Sequence, residues 1–278
     1  MSTGSTDPPR LVHTFDDYSL DGFLHVAAHF GQSRFGFVVT PNVDHLIRWH
    51  DDPLFRACYA RADFVLLDSR FAARLLQLLN RQRLPVCPGS DLTAALFGRI
   101  IRPGDRIVLI GADETQAAQL AATYRLADLH HHYPPMGFIH DAAAVERCLE
   151  VIERASPFRF CFLAVGSPQQ ERLAARLSQR GAARGLVLCV GASLNFLTGR
   201  ERRAPRWVQR LSLEWLYRLA HDPRRLARRY LIRGPRIFAL LRRTPVVLRS
   251  RPPAGAPADG QAGARGQDRV RVTRAPRA

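Results

Sequence analysis

Five short apolar runs divide the first two hundred residues: Phe35–Thr40, Phe64–Leu67, Arg106–Gly111, Phe158–Gly166 and Gly185–Gly191. Each is continuous rather than alternating, and each leads into a stretch with apolar residues at helical spacing. Continuous apolar strands separated by helices predict a parallel sheet covered on both faces. The fold class expected is α/β, a Rossmann-like and mostly parallel sheet flanked by helices, with a basic helical C-terminal appendage. Helical spacing predicts helices over Val43–Ala62, from about Phe71 to Leu79, and around Glu114–Leu126. In Pro88-Gly89-Ser90-Asp91-Leu92, Ser90 or Asp91 is expected to cap a further helix.

The pattern changes after about Thr198. Arg210–Leu219 and Asp222–Arg243 are arginine-rich with apolar residues at helical spacing (Leu226, Tyr230, Leu231, Phe238, Leu241), and Pro235 interrupts the second. Beyond about Arg251 almost nothing is apolar, which predicts disorder. Three regions follow: a catalytic α/β domain over 1–198 with residues 1–20 flexible, a helical appendage over 199–250, and a disordered basic tail over 251–278.

Charge sharpens that division. The chain of 278 residues contains no lysine, and its 41 arginines give a formal net charge of +17. From Glu201 onward 20 arginines stand against 5 acidic residues, so nearly all the excess belongs to the C-terminal region. Such a region must face an anionic partner: phospholipid, nucleic acid or a phosphorylated ligand. The five cysteines are dispersed and form no CxxC spacing, which predicts free thiols and no zinc site. No uncharged apolar run approaches the roughly 18–20 residues of a membrane span, and the N-terminus lacks the layout of a signal peptide. The expected location is cytoplasmic, with any membrane contact peripheral.

In open α/β sheets, ligands bind outside the carboxyl ends of the strands. Thr40-Pro41-Asn42, Asp68, Gly111, the run Gly166-Ser167-Pro168-Gln169-Gln170-Glu171, and Gly191-Ala192-Ser193 all fall at such ends. Individually each has a structural reading as well. Thr-Pro-Asn makes a turn, Asp68 is placed to cap the next helix, and Gly166–Pro168 suits either a phosphate at a helix start or a plain loop. Neither a GxGxxG fingerprint nor a Walker A sequence occurs, which counts against nicotinamide or ATPase chemistry. Three adjacent histidines, His130-His131-His132, cannot all face one ion and are expected on a solvated loop.

The ordered series TPNVDHL, ADFVLLDSR, PGSDL, HHYPPMGF, VGSPQQE, VGASLNFLTG, RAPRW, LEWLYRL and DPRRLARRYL spans about residues 35–233 and resembles the WecG/TagA/CpsF glycosyltransferase family. The resemblance implies an inverting transfer from a UDP-sugar to a polyprenyl-diphosphate-linked acceptor, in cell-envelope or exopolysaccharide assembly. It implies Asp68 as general base, with Thr40 and Asn42 in the same pocket. Gln170 and Glu171 lie beside the site, with Gly111, Gly166 and Pro168 toward the donor and Asp91 toward the acceptor. Arg218, Arg225 and Arg228 would close over the donor diphosphate and make a metal or other cofactor unnecessary.

The sequence departs from the family pattern at three places: Asp68-Ser69 for Asp-Gly, Gln169 for Lys, and Asn195 for Asp. An anionic membrane surface suits the basic appendage, each arginine contributing roughly 1 kcal/mol there, with Trp207 and Trp215 at the interface or packed on the catalytic domain. Oligomeric state is not legible, and a homo-oligomer is compatible. Two alternatives stand beside this reading: a nucleic-acid-binding protein, although no such motif is recognisable, and a family member without turnover.

Overall fold

The computed structural model describes residues 11–250 and 269–273. Its strands are β1 (His13–Asp16), β2 (Phe35–Val39), β3 (Phe64–Val65), β4 (Arg106–Gly111), β5 (Asp128–His132), β6 (Phe160–Ala164), β7 (Gly185–Cys189), β8 (Val246–Ser250) and β9 (Arg269–Thr273). Strands β2 to β7 form one six-stranded sheet in the order β3-β2-β7-β6-β4-β5, every neighbouring pair parallel. Side chains alternate between two buried layers, as period-2 strands covered on both faces require. Phe37, Val39, Cys161 and Val187 enter one core, while Val38, Leu109, Phe160, Phe162 and Leu188 enter the other. The α/β, Rossmann-like class read from the apolar runs is the class observed.

Several local expectations are corrected. Val43–Ala62 is two helices, Val43–Asp51 and Pro53–Ala60, because Asp52 leaves helical geometry and caps the second through the Leu54 and Phe55 N–H groups. The helix after Pro88 begins at Gly89, and neither Ser90 nor Asp91 caps it. The histidine run is not a loop but edge strand β5, paired only with β4. His131 Nε2 donates to the Ala112 carbonyl (3.1 Å), and His130 meets Asp128 at 2.8 Å.

The two ends of the chain depart most from expectation. Residues 13–16 form β1 rather than a flexible start, and Leu20–His29 is a helix capped by Ser19. Strand β1 pairs in parallel with β8, which in turn pairs antiparallel with β9, making a second three-stranded sheet. Within the tail expected to be disordered, residues 269–273 are therefore a strand; the rest of that expectation concerns residues outside those described. Arg206–Arg210, Glu214–His221, Pro223–Ala227 and Arg236–Arg243 are short helices, the last two separated by a π-helical stretch at Arg228–Arg233.

One buried carboxylate joins the two sheets. Asp16, 1 % exposed, accepts the Val65 N–H of β3 through Oδ2 at 2.7 Å and the Arg249 guanidinium of β8 at 2.9 Å. An ion pair this deep is most consequential when half of it is removed, since the remaining charge stays buried. Asp16→Ala should cost roughly 3–5 kcal/mol of unfolding free energy in a denaturant titration. A loss below about 1 kcal/mol would show that water takes over from Asp16 at Arg249 and Val65.

Candidate active site

The carboxyl ends of β3, β2, β7 and β6 lie side by side along one edge of the sheet. Strand β3 stops after two residues, and Leu66, Leu67 and Asp68 carry the chain on to that edge. There the Asp68 N–H donates to the Pro41 carbonyl (3.0 Å), and the Cys87 N–H donates to the Leu67 carbonyl (2.9 Å). These bonds bring Gly89 alongside, and its N–H donates to Asp68 Oδ1 at 2.6 Å. Thr40 Oγ1 donates to the Cys189 carbonyl (3.4 Å), joining the ends of β2 and β7.

Asp68, Thr40 and Gly89 share so little space that a Cβ on Gly89 would stand 2.8 Å from Thr40 Oγ1 and 3.7 Å from Asp68 Oδ1. A contact of 2.8 Å is shorter than carbon and oxygen tolerate, so any side chain at 89 would displace the Thr40 hydroxyl. Sequence reasoning singled out Ser90 and Asp91 in this motif and passed over Gly89, whose contribution is a bare N–H.

Asp68 keeps one accessible edge and is otherwise enclosed. Its pKa is raised from 3.8 to about 6, chiefly by burial; the Gly89 N–H and Arg218 pull it down, while Glu214 and Asp91 push it up. It does not cap the following helix, because Ser69 does, accepting the Ala72 N–H at 3.1 Å. Ser69 has φ −95°, extended backbone open to any residue, so the missing glycine leaves no strain beside Asp68. Asn42 Oδ1 is committed to capping Val43–Asp51 through the Asp44 and His45 N–H groups (3.1 and 3.3 Å).

Gln170 and Glu171 stand in the first turn of the helix Gln169–Arg180 that follows β6, both buried. Gln170 Oε1 accepts the Gly191 N–H (2.8 Å), and its Nε2 donates to Glu171 Oε1 (2.9 Å). Glu171 Oε2 has no hydrogen-bond partner among the described residues. Burial raises the Glu171 pKa from 4.5 to about 7, with Gln170, Ser167 and Arg48 acting in the opposite direction. Gly166 takes φ +77° at the turn into the helix Gln169–Arg180, and Pro168 precedes that helix. Gly111 stands on β4, four strand spacings from β3 and thus about 19 Å away. Its φ is +94°, and a Cβ there would meet the Ala164 backbone at 2.8 Å. The candidate residues therefore line the sheet's carboxyl edge instead of meeting at one point.

A second wall comes from the appendage. Arg70 donates to Asp91 (2.7 Å) and to Glu214 (2.6 Å), and Arg203 also reaches Asp91 (2.7 Å). These pairs close a small cleft shared with Arg202, Phe196 and Arg218. Its four arginines exceed its two carboxylates by two positive charges. The Arg218 guanidinium sits 5.3 Å from the centre of the Phe196 ring. Asp91 is thus engaged by two arginines. The backbone puts Arg225 in Pro223–Ala227 and Arg228 just after it, and their side chains lie outside the described residues. Asn195 accepts from Gln116 (2.9 Å) and donates to Glu201 (3.0 Å). An aspartate at that position would set two carboxylates against each other. Among the described residues, no group of three or more His, Cys, Asp or Glu could hold a metal ion.

The family model for glycosyl transferases of the WecG/TagA/CpsF family matches residues 11–251 of this chain. The chain belongs to that family. Membership makes it a glycosyltransferase of cell-envelope polysaccharide synthesis, and implies a nucleotide-sugar donor and a sugar acceptor. The matched span takes in β1 and β8 as well as the parallel sheet, while β9 lies beyond it.

The buried acids of this glycosyltransferase carry a signature in stability. Glu171 binds its proton more tightly folded than unfolded, so its favourable contribution is complete below about pH 4.5 and is lost as the pH rises to about 7. The thermal midpoint should fall from pH 5 to pH 7.5, and Glu171→Gln should make that fall shallower, leaving the part due to Asp68. Parallel curves for the two proteins would mean that Glu171 is ionised throughout.

Proposed function

We propose that the chain transfers a sugar from a UDP-sugar to a polyprenyl-diphosphate-linked acceptor, with inversion and without a metal, at an anionic membrane surface. The observation that carries this reading is Asp68, beside Thr40 and Gly89 and within electrostatic reach of Arg218, which lines a cleft where arginines outnumber carboxylates by two. Asp68 takes the proton from the acceptor hydroxyl as that oxygen attacks the anomeric carbon. The bond from the anomeric carbon to the diphosphate breaks, and its electron pair leaves with the nucleoside diphosphate. A single displacement from the opposite side inverts the anomeric centre. Arg218 and Arg202 offset the charge that grows on the leaving group, the work a cation does elsewhere. Gly111, Gly166 and Pro168 would receive the nucleotide along the strand ends, and Asp91 would lie on the acceptor side of the cleft.

Exposed apolar side chains on the appendage support the membrane part of the proposal. Trp207 is 64 % exposed and Ile232 69 % exposed, with Leu211, Leu216, Leu231 and Phe238 also at the surface. Interleaved with arginines, such residues suit a headgroup boundary. Trp215 is half-buried, its ring 6.5 Å from Phe71 of the catalytic body, and Phe238 also approaches Phe71, at 6.1 Å. No helix among the described residues is long and apolar enough to cross a membrane.

A base with a pKa of about 6 must be ionised to act, so kcat should rise with pH and level off above about 7. Asp68→Asn should lower kcat by roughly 10²–10⁴-fold while UDP still binds. Full turnover in Asp68→Asn would remove it as the base. The deciding assay offers a panel of UDP-sugars and a synthetic polyprenyl-diphosphate-sugar, with EDTA present, and detects product by mass spectrometry. Product from one donor, with the anomeric configuration inverted, is the expected result. Dependence on added divalent metal would overturn the arginine-based account, and no product from any donor would favour the reading without turnover.

A further inference from the structure

A second cavity, of about 210 Å³, lies away from the cleft, between β1 and the helices Val43–Asp51 and Pro53–Ala60. An apolar cavity of roughly 150 Å³ takes up a benzene ring, so this one has room for a six-membered ring and a small substituent. Its walls are specific. Trp49 and His13 stand with ring centres 4.5 Å apart, Phe15 and Tyr59 add further aromatic surface, and Arg56 and Arg249 both reach the lining.

The electrostatics of these walls are lopsided. His13 Nε2 is 3.1 Å from His50 Nε2, and burial together with that neighbour lowers the His13 pKa to about 3, so it adds no charge. Arg249 is neutralised by Asp16, although its Nε has no hydrogen-bond partner among the described residues. Arg56 gives Nη1 to the Trp49 carbonyl (2.9 Å), and its guanidinium lies 5.4 Å from the Trp49 ring centre. Among the described residues no carboxylate pairs with it. The cavity therefore combines flat aromatic walls with one unneutralised guanidinium, at a mouth bordered by exposed Ala60.

We propose that this cavity binds a six-membered ring carrying one carboxylate, the ring against Trp49 and His13 and the carboxylate on Arg56. Both aromatic acids and uronic acids present that chemistry. The site bears on the active-site crevice through Pro41, which lines the cavity, follows Thr40 and accepts the Asp68 N–H. The inference does not depend on the transfer reaction proposed above.

The test titrates the full chain with benzoate, with glucuronate and with the uncharged benzamide, following tryptophan fluorescence. Trp49→Phe identifies the signal, since Trp207 and Trp215 remain. Saturable quenching by benzoate identifies an aromatic acid, and by glucuronate a sugar acid; either supports the site. Arg56→Met keeps the stem over Trp49 and removes the charge, and should weaken binding about tenfold, as loss of a charged hydrogen bond does. Its thermal midpoint checks that the fold is intact. No saturable response to either acid, an equal response to benzamide, or unchanged affinity in a folded Arg56→Met protein would each overturn the proposal.

Discussion

The site depends on holding a very short strand in place. Strand β3 has two ladder residues at the edge of the parallel sheet, yet it delivers Asp68. Backbone bonds from the Asp63, Leu66 and Asp68 N–H groups to the Phe37, Val39 and Pro41 carbonyls extend its hold on β2 in both directions. On its other side Asp16 accepts the Val65 N–H and is itself held by Arg249 of β8. Such an arrangement is tolerable only because both partners are present, since desolvating either alone is costly. The small sheet thus joins β2 and Gly89 in supporting the position of the proposed base.

Burial sets the chemistry in the same way. Asp68 and Glu171 are both kept from full hydration, and both hold protons to higher pH than free carboxyls do. Their surroundings differ, however. Asp68 has the Gly89 N–H and a cationic wall opposite, whereas Glu171 faces inward, bonded to Gln170 with one oxygen unpartnered. Proximity to the arginines favours charge on Asp68 when a leaving group is being stabilised next to it. Glu171 instead fixes Gln170, which grips Gly191 and so shapes the turn after β7.

Much of the parallel sheet was legible because buried parallel strands leave uninterrupted apolar runs, and strand ends then nominate Thr40, Asp68 and Gly191. Strand β5 was not, because it lies half exposed at an edge and its Asp-Leu-His-His-His sequence carries no apolar run. The β1–β8 pairing joins residues more than two hundred positions apart, and no local pattern announces such a contact. In the site itself, residues with reactive groups were found and those acting through backbone or space were missed. Gly89 matters for the side chain it lacks, and Glu214 for a partner, Arg70, on a distant helix. The departures at Ser69 and Asn195 acquired meaning only from geometry: one caps a helix at an ordinary dihedral, and the other needs its amide to meet Glu201.

The β1–β8 pairing also changes what the appendage is. Residues 199–235 leave the body after the helix Ser193–Leu197, and the chain rejoins it at Arg236–Arg243, whose Ile237 and Leu241 enter the core, and at β8, so they form a strap fastened at both ends. A strap can flex or slide but cannot swing clear as a free arm, and its reach is limited by the span between its anchors. Cutting the chain at residue 198 would strip β1 of its partner as well as removing the arginines. The shortened protein would present a bare strand edge ready to pair with its neighbours, and would lose the counter-ion of Asp16. Self-association in such a truncated form would therefore report the loss of a strand rather than an assembly state of the intact chain.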